Sequence, residues 1–204
     1  SAEDAARTGS IFLTEDAVAL AASPFIDLMI ECTGDPVAAV DHIAASFTHG
    51  KDVVNVTVEA DSYCGAGLAK RARDAGVLYS LAYGDQPALT AELVDWARCC
   101  GFRVAAAGRG HKWQPEYRLS TPETVWEHWG LTQEQADRGR LNPKMFNSFL
   151  DGSKPAIESA AIANATGLAV PSAGLAFPAG DVEAIPKLMR PRAEGGVLEN
   201  AGMV

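Results

Sequence analysis

The segment from residue 142 to residue 167 holds the polar groups best suited to chemistry on an oxygen-rich ligand. At helical spacing these groups fall along one stripe, opposite a strongly apolar side. Amide, hydroxyl, ammonium and carboxylate groups side by side would suit the wall of a substrate cleft. Two solvated amphipathic helices would give the same spacing. The stripe consists of Lys144, Asn147, Ser148, Asp151, Lys154 and Glu158.

Pro155 predicts that this segment forms two helices rather than one. Its ring would clash with the carbonyl of Asp151 in a continuous helix. We expect the two helices to meet near Gly152, with Ser153 or Asp151 capping the second helix through a side-chain oxygen. The unpaired N–H groups at such a helix start would favour an anion.

A second candidate region directly follows a predicted strand at residues 102–107. The sequence GRGHKWQPEY begins at Gly108 and places Arg109, His111 and Lys112 close together. Its two glycines would let the backbone pass close to a ligand that these cationic or titratable groups face. A solvated loop is the alternative interpretation.

Composition narrows the class of protein. The chain has 204 residues, 48% of them hydrophobic, which is enough for a substantial core. Its net charge of −9 argues against nucleic acid or an anionic membrane as the main partner. No apolar run reaches the ~20 residues of a membrane-spanning helix. The start at Ser1 without a methionine suggests a piece of a longer protein.

Cysteine usage is typical of a protein from a reducing compartment. The four cysteines have no CxxC spacing, so they imply neither a zinc site nor a disulfide framework. Cys32 follows an apolar run and is expected to be a buried thiol. The cytoplasm is therefore the predicted location.

Strands alternate with helices over the first 107 residues, which predicts right-handed βαβ units and a parallel sheet. Beyond that point the pattern becomes α-rich, with capping boxes predicted at Ser120 with Glu123 and at Thr132 with Gln135. The predicted fold class is α/β, with half of a nucleotide-binding type of sheet followed by an α-rich (α+β) region. The predicted strands cover residues 27–33, 52–58, 77–81 and 102–107, and the helices between them cover residues 37–49, 62–75 and 86–100.

Ligands bind at the carboxyl ends of parallel strands. Each residue there is, by itself, more often a turn residue than a ligand contact. The residues at these ends are Glu31, Thr33, Gly34, Asn55, Thr57, Glu59, Tyr83, Gly84 and Asp85.

Several motifs that would identify an enzyme class are absent. Gly65 and Gly67 lack the third small residue of a GxGxxG sequence, and Gly108 and Gly110 precede no clear helix. If the sheet binds a nucleotide, it is therefore the second half of such a domain. The GxSxG, HExxH and Walker sequences are missing as well.

A divalent metal, Mg²⁺ or Mn²⁺, is a further candidate ligand. Asp151 and Glu158 could bind it together with Glu31 or Glu59. The spacing of the first two carboxylates across a proline does not define a metal site, so the metal ligands are unknown.

Five longer segments are distinctive enough to suggest a family. They are IECTGDP, GKDVVNVTVEAD, VLYSLAYGDQPALTAELVDWAR, NPKMFNSFLDGSK and AIANATGL. Together they look like the deoxyxylulose-phosphate-reductoisomerase-like proteins of bacteria, which are relatives of homoserine dehydrogenase. The resemblance extends from about Ile26 to the segment LMRPRAEGGVL near Leu198.

This resemblance implies an NADP-dependent oxidoreductase that binds NADPH and forms a homodimer. Residues 1–107 would be a partial Rossmann NAD(P)-binding domain without its first β-α-β, and residues 108–204 part of the catalytic, substrate-binding domain. The implied reaction is the rearrangement of 1-deoxy-D-xylulose 5-phosphate and its reduction to 2-C-methyl-D-erythritol 4-phosphate, a step of isoprenoid biosynthesis. The substrate would be a small anion.

Under this resemblance the candidate residues take specific roles. Hydride reduction of a carbonyl needs a proton donor or electrophile, and a phosphorylated substrate needs cationic anchors. We assign Lys112 and Lys154 to these tasks, with Asp151 orienting one of them and Glu158 as acid, base or metal ligand. The predicted substrate-binding residues are Arg109, His111, Asn147 and Ser148. The predicted cofactor-binding residues are Glu31, Thr33, Gly34 and Glu59.

Other functions remain open at this point. Homoserine dehydrogenases typically carry an Asn-Lys pair where this sequence reads Thr57-Val58-Glu59, which argues against homoserine itself. Another sugar or polyol dehydrogenase would fit the same residues. A non-catalytic module that binds a metabolite would use the same half-sheet. The Phe- and Met-rich side of the stripe could instead be a dimer contact.

Overall fold

The computed structural model describes residues 1–204. Its strands are β1 (Leu28–Glu31), β2 (Asp52–Asn55) and β3 (Tyr79–Leu81). Its helices are α1 (Ala2–Thr8), α2 (Ala17–Ala22), α3 (Pro36–Thr48), α4 (Val58–Ala75), α5 (Gln86–Cys99), α6 (Val125–Trp129), α7 (Gln133–Arg138), α8 (Pro143–Ser148), α9 (Ser153–Thr166) and α10 (Ile185–Leu188). Short 3₁₀-helices cover Pro115–Leu119 and Arg192–Glu194. None of the helices combines the length and the apolar character needed to cross a lipid bilayer.

The three strands form a parallel sheet in the order β1-β2-β3. At one end of the first pair Leu28 is aligned with Asp52, and at the other end Glu31 is aligned with Asn55. The chain passes from β1 to β2 through α3, and from β2 to β3 through α4, as parallel strands require. The predicted fold class is confirmed, because the chain is a mixed α/β protein with a small parallel, Rossmann-like sheet and many helices.

Two of the predicted strands depart most from the structure. β2 stops at Asn55, and Val58, which was expected to end the strand, is the first residue of α4. The Asn55 amide donates to the carbonyl oxygen of Thr57 at 3.1 Å, so a local turn overrides the strand preference of the β-branched residues. The strand expected at residues 102–107 is wrong, since this segment forms only one isolated bridge, to Met203.

β1 is not the buried strand that its apolar sequence predicts. Leu28 and Ile30 are 49% and 59% exposed, whereas Met29 packs on the core and Glu31 is buried. Successive strand side chains point to opposite faces, and β1 lies at an edge of the sheet. Cys32 is likewise exposed rather than a buried thiol, because the strand has ended before it.

The chain consists of two compact units. Unit 1 contains Ser1–Glu92 and Asn164–Thr166, and unit 2 contains Leu93–Ala163 and Gly167–Val204. The assignment of residues 1–107 to cofactor binding and of residues 108–204 to catalysis stays a prediction. The core of unit 1 consists of Ile43, Phe47, Val53, Leu68 and Ala72. The core of unit 2 consists of Val125, Trp126, Ala136 and Leu150.

One of the two expected capping boxes is present in unit 2. The Thr132 hydroxyl accepts from the backbone N–H of Gln135, and the Gln135 side chain accepts from the N–H of Thr132 at 2.9 Å. The box expected at Ser120 and Glu123 is wrong, because the Thr124 hydroxyl closes a turn there and α6 begins only after it.

A buried polar chain crosses the interior of unit 1. Asn55 Nδ2 donates to the Tyr79 hydroxyl at 3.2 Å, and that hydroxyl donates to Asp61 Oδ2 at 2.9 Å. Burial raises the pKa of Asp61 and outweighs the hydrogen bonds from Tyr79 and Asn164. A methyl group at Gly65 would lie 2.6 Å from this carboxyl group, so only glycine avoids a clash with the carboxyl group at this position.

We expect Asp61→Asn to change how the free energy of unfolding depends on pH. Because the folded-state pKa of Asp61 lies above the unfolded value, the stability that this carboxyl contributes is present below the unfolded pKa. It is lost as pH rises through the folded pKa. The unfolding free energy of the variant minus that of the wild type should therefore increase with pH. Urea titrations between about pH 4 and about pH 8 measure this difference.

Asp74→Asn is the matched control, because it removes an exposed carboxylate from the same helix. A difference for Asp61→Asn that stays flat or decreases with rising pH would contradict the raised pKa.

Candidate active site

α8 and α9 meet at the break that Pro155 predicts. Gly152 precedes α9 with a φ of 89°, a left-handed conformation that favours glycine. Asp151 Oδ1 accepts from the backbone N–H of Ser153 at 2.8 Å, so of the two expected capping residues it is Asp151 that fills the role. Pro155 lies in the first turn of α9, where its missing N–H removes no helical hydrogen bond.

A buried ion pair joins α9 to the segment after Ala107. Arg109 Nε lies 2.6 Å from Glu158 Oε2, and the two side chains are 19% and 2% exposed. Glu158 shares its helix with the fully buried Ala161 and Ile162. A buried carboxylate needs a partner of opposite charge, and Arg109 provides one.

The residues around Arg109 alternate between buried and exposed positions. Arg109, His111 and Trp113 are half-buried and point to one side of an extended segment, as side chains two residues apart do. Lys112 lies on the other side and is exposed, so the structure does not bring it together with His111. The exposed residues of this segment are Gly108, Gly110, Lys112 and Gln114.

A contact with Arg109 favours one tautomer of His111. Arg109 Nη1 lies 3.5 Å from His111 Nδ1, and a guanidinium can only donate, so this contact favours the lone pair on Nδ1. That tautomer places the ring hydrogen on Nε2, which is buried and has no hydrogen-bond partner. Burial, followed by the Arg109 charge, lowers the pKa of His111, and the Asp151 carboxylate partly opposes both effects.

Asn147 contributes a buried acceptor. Its Nδ2 donates to Asp151 Oδ2 at 3.0 Å, which fixes the amide because a carboxylate can only accept. Asn147 is 7% exposed, and its Oδ1 is buried without a hydrogen-bond partner. Asp151 thus caps α9, orients Asn147 and acts electrostatically on His111. We refer to Arg109, His111, Asn147, Asp151 and Glu158 as the His111 cluster.

Two aromatic residues that the sequence did not single out border this cluster. The Phe177 ring stacks on Trp113 at 5.4 Å and lies 5.8 Å from the His111 ring, measured between centroids. A methyl group at Gly152 would lie 3.2 Å from Phe177. The period-two spacing from Arg109 could have indicated Trp113, whereas no local signal indicates Phe177.

Three further residues of the polar stripe lie on α8 and α9. Ser148 donates through its hydroxyl to the carbonyl oxygen of Met145 at 2.6 Å. Lys144 is exposed on α8, and Lys154 is half-buried in the first turn of α9. The break at Gly152 separates α8 from α9 as expected, and the single stripe stays a prediction.

In unit 1 three of the candidate cofactor residues, Glu31, Thr33 and Gly34, lie at the end of β1 and in the loop that follows it. Glu31 Oε1 accepts from the Thr33 hydroxyl at 2.6 Å and from the Thr33 N–H at 3.1 Å. Gly34, with a φ of 73°, donates its N–H to the Thr57 hydroxyl at 3.1 Å. Glu59 lies in the first turn of α4. Glu31 thus fixes the exposed Thr33-Gly34 turn, and its contact with a cofactor stays a prediction.

The ionised form of Glu31 is favoured in this loop. Burial opposes ionisation, but the Thr33 hydroxyl, the Thr57 hydroxyl, the Thr33 N–H and His42 outweigh it, so the pKa of Glu31 is lowered. Its Oε2 is buried and has no hydrogen bond of standard geometry, although the Thr57 hydroxyl is close enough to favour the carboxylate.

The Thr33-Gly34 turn fits the uncharged part of a nicotinamide cofactor. Both residues are exposed, and no atom lies within 4 Å of the place where a Cβ of Gly34 would be. A phosphate does not fit the start of α3, because Asp35 already accepts from the N–H groups of Val37 and Ala38 there. The residues present could therefore border the nicotinamide and its ribose, with the phosphates held elsewhere.

No three histidine, cysteine, aspartate or glutamate side chains come together as metal ligands among residues 1–204. Glu158, one of the proposed ligands, is paired with Arg109 instead. A divalent metal stays a prediction of the sequence.

A small parallel α/β sheet with a polar turn at its carboxyl edge is the kind of fold in which ligands bind at the ends of the strands. Residues 84–204 match the family described as "Oxidoreductase DRL, catalytic domain", which is more than half of the chain. The chain belongs to this oxidoreductase family.

A solved structure from Archaeoglobus fulgidus, provisionally assigned as a homoserine dehydrogenase, is similar to the chain at 18% identity and a TM-score of 0.49. The match covers 80% of this chain and 51% of that one, so the chain spans about half the length of the matched structure. A comparison with curated proteins finds no match.

We expect the Arg109–Glu158 pair to show strong coupling in stability measurements. Arg109→Met should lower the free energy of unfolding by about 3–5 kcal/mol, because it removes the guanidinium from a buried carboxylate. The double variant Arg109→Met/Glu158→Leu should be less destabilised than Arg109→Met alone, since it buries apolar groups of similar volume. Denaturant titrations of the single and double variants give the coupling energy.

The matched control is the exposed pair of Lys70 and Asp74, whose Nζ–Oδ2 distance is also 2.6 Å. Lys70→Met should change the unfolding free energy by no more than about 1 kcal/mol. If Arg109→Met and Lys70→Met lowered the free energy of unfolding equally, the predicted coupling of the buried pair would be refuted.

Proposed function

We propose that the chain is part of an NADP-dependent oxidoreductase that reduces the carbonyl group of a small hydroxylated substrate, with the substrate bound at the His111 cluster. One observation carries the proposal: His111 Nε2–H and Asn147 Oδ1 are a buried donor and a buried acceptor without partners. A carbonyl oxygen can accept from the first, and a neighbouring hydroxyl can donate to the second. Membership of the oxidoreductase family supports this assignment.

1-Deoxy-D-xylulose 5-phosphate is the specific substrate we propose, with 2-C-methyl-D-erythritol 4-phosphate as the product of a reductoisomerase reaction in isoprenoid biosynthesis. Its ketone has a hydroxyl group on the next carbon, which suits the paired donor and acceptor. Its phosphate suits the exposed Lys112 better than the buried cluster, because Arg109 is already paired with Glu158.

Within the cluster each residue takes a distinct role. His111 donates a hydrogen bond to the oxygen on which negative charge develops, and Arg109 keeps the ring in the required tautomer. Asp151 holds Asn147 and lies at the start of α9, where Lys154 is the proposed proton donor. Glu158 fixes Arg109 and does not contact substrate.

The nicotinamide cofactor would supply the hydride, and Thr33 and Gly34 would border its ribose and ring. NADP rather than NAD, a homodimer and a cytoplasmic location are proposals that accompany this one. A homoserine-dehydrogenase-like or polyol dehydrogenase and a non-catalytic binding module are the competing outcomes of the experiment below.

We expect the full-length protein to oxidise NADPH in the presence of 1-deoxy-D-xylulose 5-phosphate, measured by absorbance against NADH and a panel of sugar phosphates, polyol-derived ketones and aldehydes. His111→Ala should lower kcat by about 10²–10³-fold, because it removes a donor to the developing oxyanion. Lys154→Ala should abolish turnover while the protein stays folded.

His128→Ala is the matched control, since this histidine contacts Tyr117 and lies outside the His111 cluster. Oxidation of cofactor with another substrate only would replace the reductoisomerase assignment. Binding of a sugar phosphate with no oxidation of either cofactor would favour the non-catalytic module, and an unchanged rate in His111→Ala would reject the role of His111.

A further inference from the structure

A ligand cannot reach His111 Nε2 directly, because this atom is buried. This atom has no hydrogen-bond partner and is covered by protein. If His111 contacts substrate, as the proposed function requires, a neighbouring group must move when substrate binds. The inference below rests on that function.

The neighbours of His111 differ in how firmly they are held. Arg109 is fixed by its ion pair with Glu158, and Asp151 is fixed by the hydrogen bonds from Ser153 and Asn147. Neither can leave without exposing or stranding a charged group, which would cost several kcal/mol.

Phe177 is held much less firmly. It lies between α9 and α10, in a part of the chain without helix or strand. Its φ of 45° is a left-handed conformation that is strained for a bulky residue. Its contacts with His111 and Trp113 are those of rings without hydrogen bonds or charges. Moving this ring therefore breaks no polar interaction.

We propose that Phe177 controls access to His111 and thereby selects the substrate. The ring lies against His111 and Trp113 in the ligand-free protein, and it swings aside when a small carbonyl compound enters. The Phe177 ring lies 5.8 Å from the His111 ring, so its volume limits the size of the group that can bind beside His111. Small carbonyl compounds are therefore favoured over bulky ones.

Gly152 makes this arrangement of the ring possible. A Cβ at this position would lie 3.2 Å from Phe177 Cε2, which is closer than ordinary van der Waals contact. The same glycine has the positive φ at the start of α9. The helix break and the position of the Phe177 ring therefore both depend on Gly152.

The test measures how readily His111 reacts with diethylpyrocarbonate, which modifies neutral imidazoles, with modification followed for each peptide by mass spectrometry. His49, which is exposed, serves as the internal reference. In the wild type, His111 should react more slowly than His49. In Phe177→Leu, the rate at which His111 is modified should rise about tenfold. The open state is a minor fraction in the wild type, and it becomes the main state once the ring is removed.

Two further variants keep the result interpretable. Phe177→Tyr retains the ring and should leave the rate at His111 as in the wild type. Phe102→Leu removes an exposed ring that contacts only Trp96 among the aromatic side chains, and it should also leave the rate unchanged. Equal rates at His111 in the wild type and in Phe177→Leu would overturn the proposal, as would a wild-type His111 that reacts as fast as His49.

Steady-state kinetics provide the second measurement. Phe177→Leu should raise kcat/KM for ketones with an ethyl or propyl group relative to the methyl ketone, whereas Phe102→Leu should not. An unchanged ratio would overturn the role in selection. Absence of turnover with every substrate would reject the proposed function, yet the chemical modification would still decide whether Phe177 covers His111.

Discussion

The arrangement of the candidate active site depends on the need to pair one buried charge. Glu158 lies on the buried side of α9, where an ionised carboxylate without a partner would cost several kcal/mol. Arg109 meets it at 2.6 Å and so anchors the extended segment that follows Ala107. Once Arg109 faces inward, the two-residue period of an extended chain also turns His111 and Trp113 inward and leaves Lys112 in solvent.

The same ion pair gives the cluster its chemical character. Glu158 holds the Arg109 guanidinium in place, and the guanidinium in turn favours the lone pair on His111 Nδ1. The cluster then offers one N–H donor and one amide acceptor, and no uncompensated cation, to a ligand. These groups suit a carbonyl and a hydroxyl better than a phosphate. In the proposed reaction the phosphate of the substrate therefore lies outside the His111 cluster.

Much of the fold could be predicted from the sequence, because alternating periods and the proline at residue 155 are local signals. The burial of β1 could not, since it depends on which strand lies at the edge of the sheet. The sequence named Arg109, His111, Asn147 and Glu158, whose roles stay predictions, and it placed the break between α8 and α9 at Gly152. Phe177 carries no signal of its own, because its contacts are with residues distant in sequence.

Two buried carboxylates show why some parts of a site can be predicted from sequence and others cannot. Glu31 is satisfied mainly by Thr33, two residues away, and by Thr57 near the end of the neighbouring strand, so its effect is to shape one short turn. Glu158 is satisfied by Arg109, far away in the sequence, so its effect is to join two separate segments. Local satisfaction can be inferred from spacing, whereas satisfaction at a distance becomes visible only after the chain has folded. A buried charge that is paired across the sequence therefore ties separate segments together, and the Arg109–Glu158 pair does this for the His111 cluster.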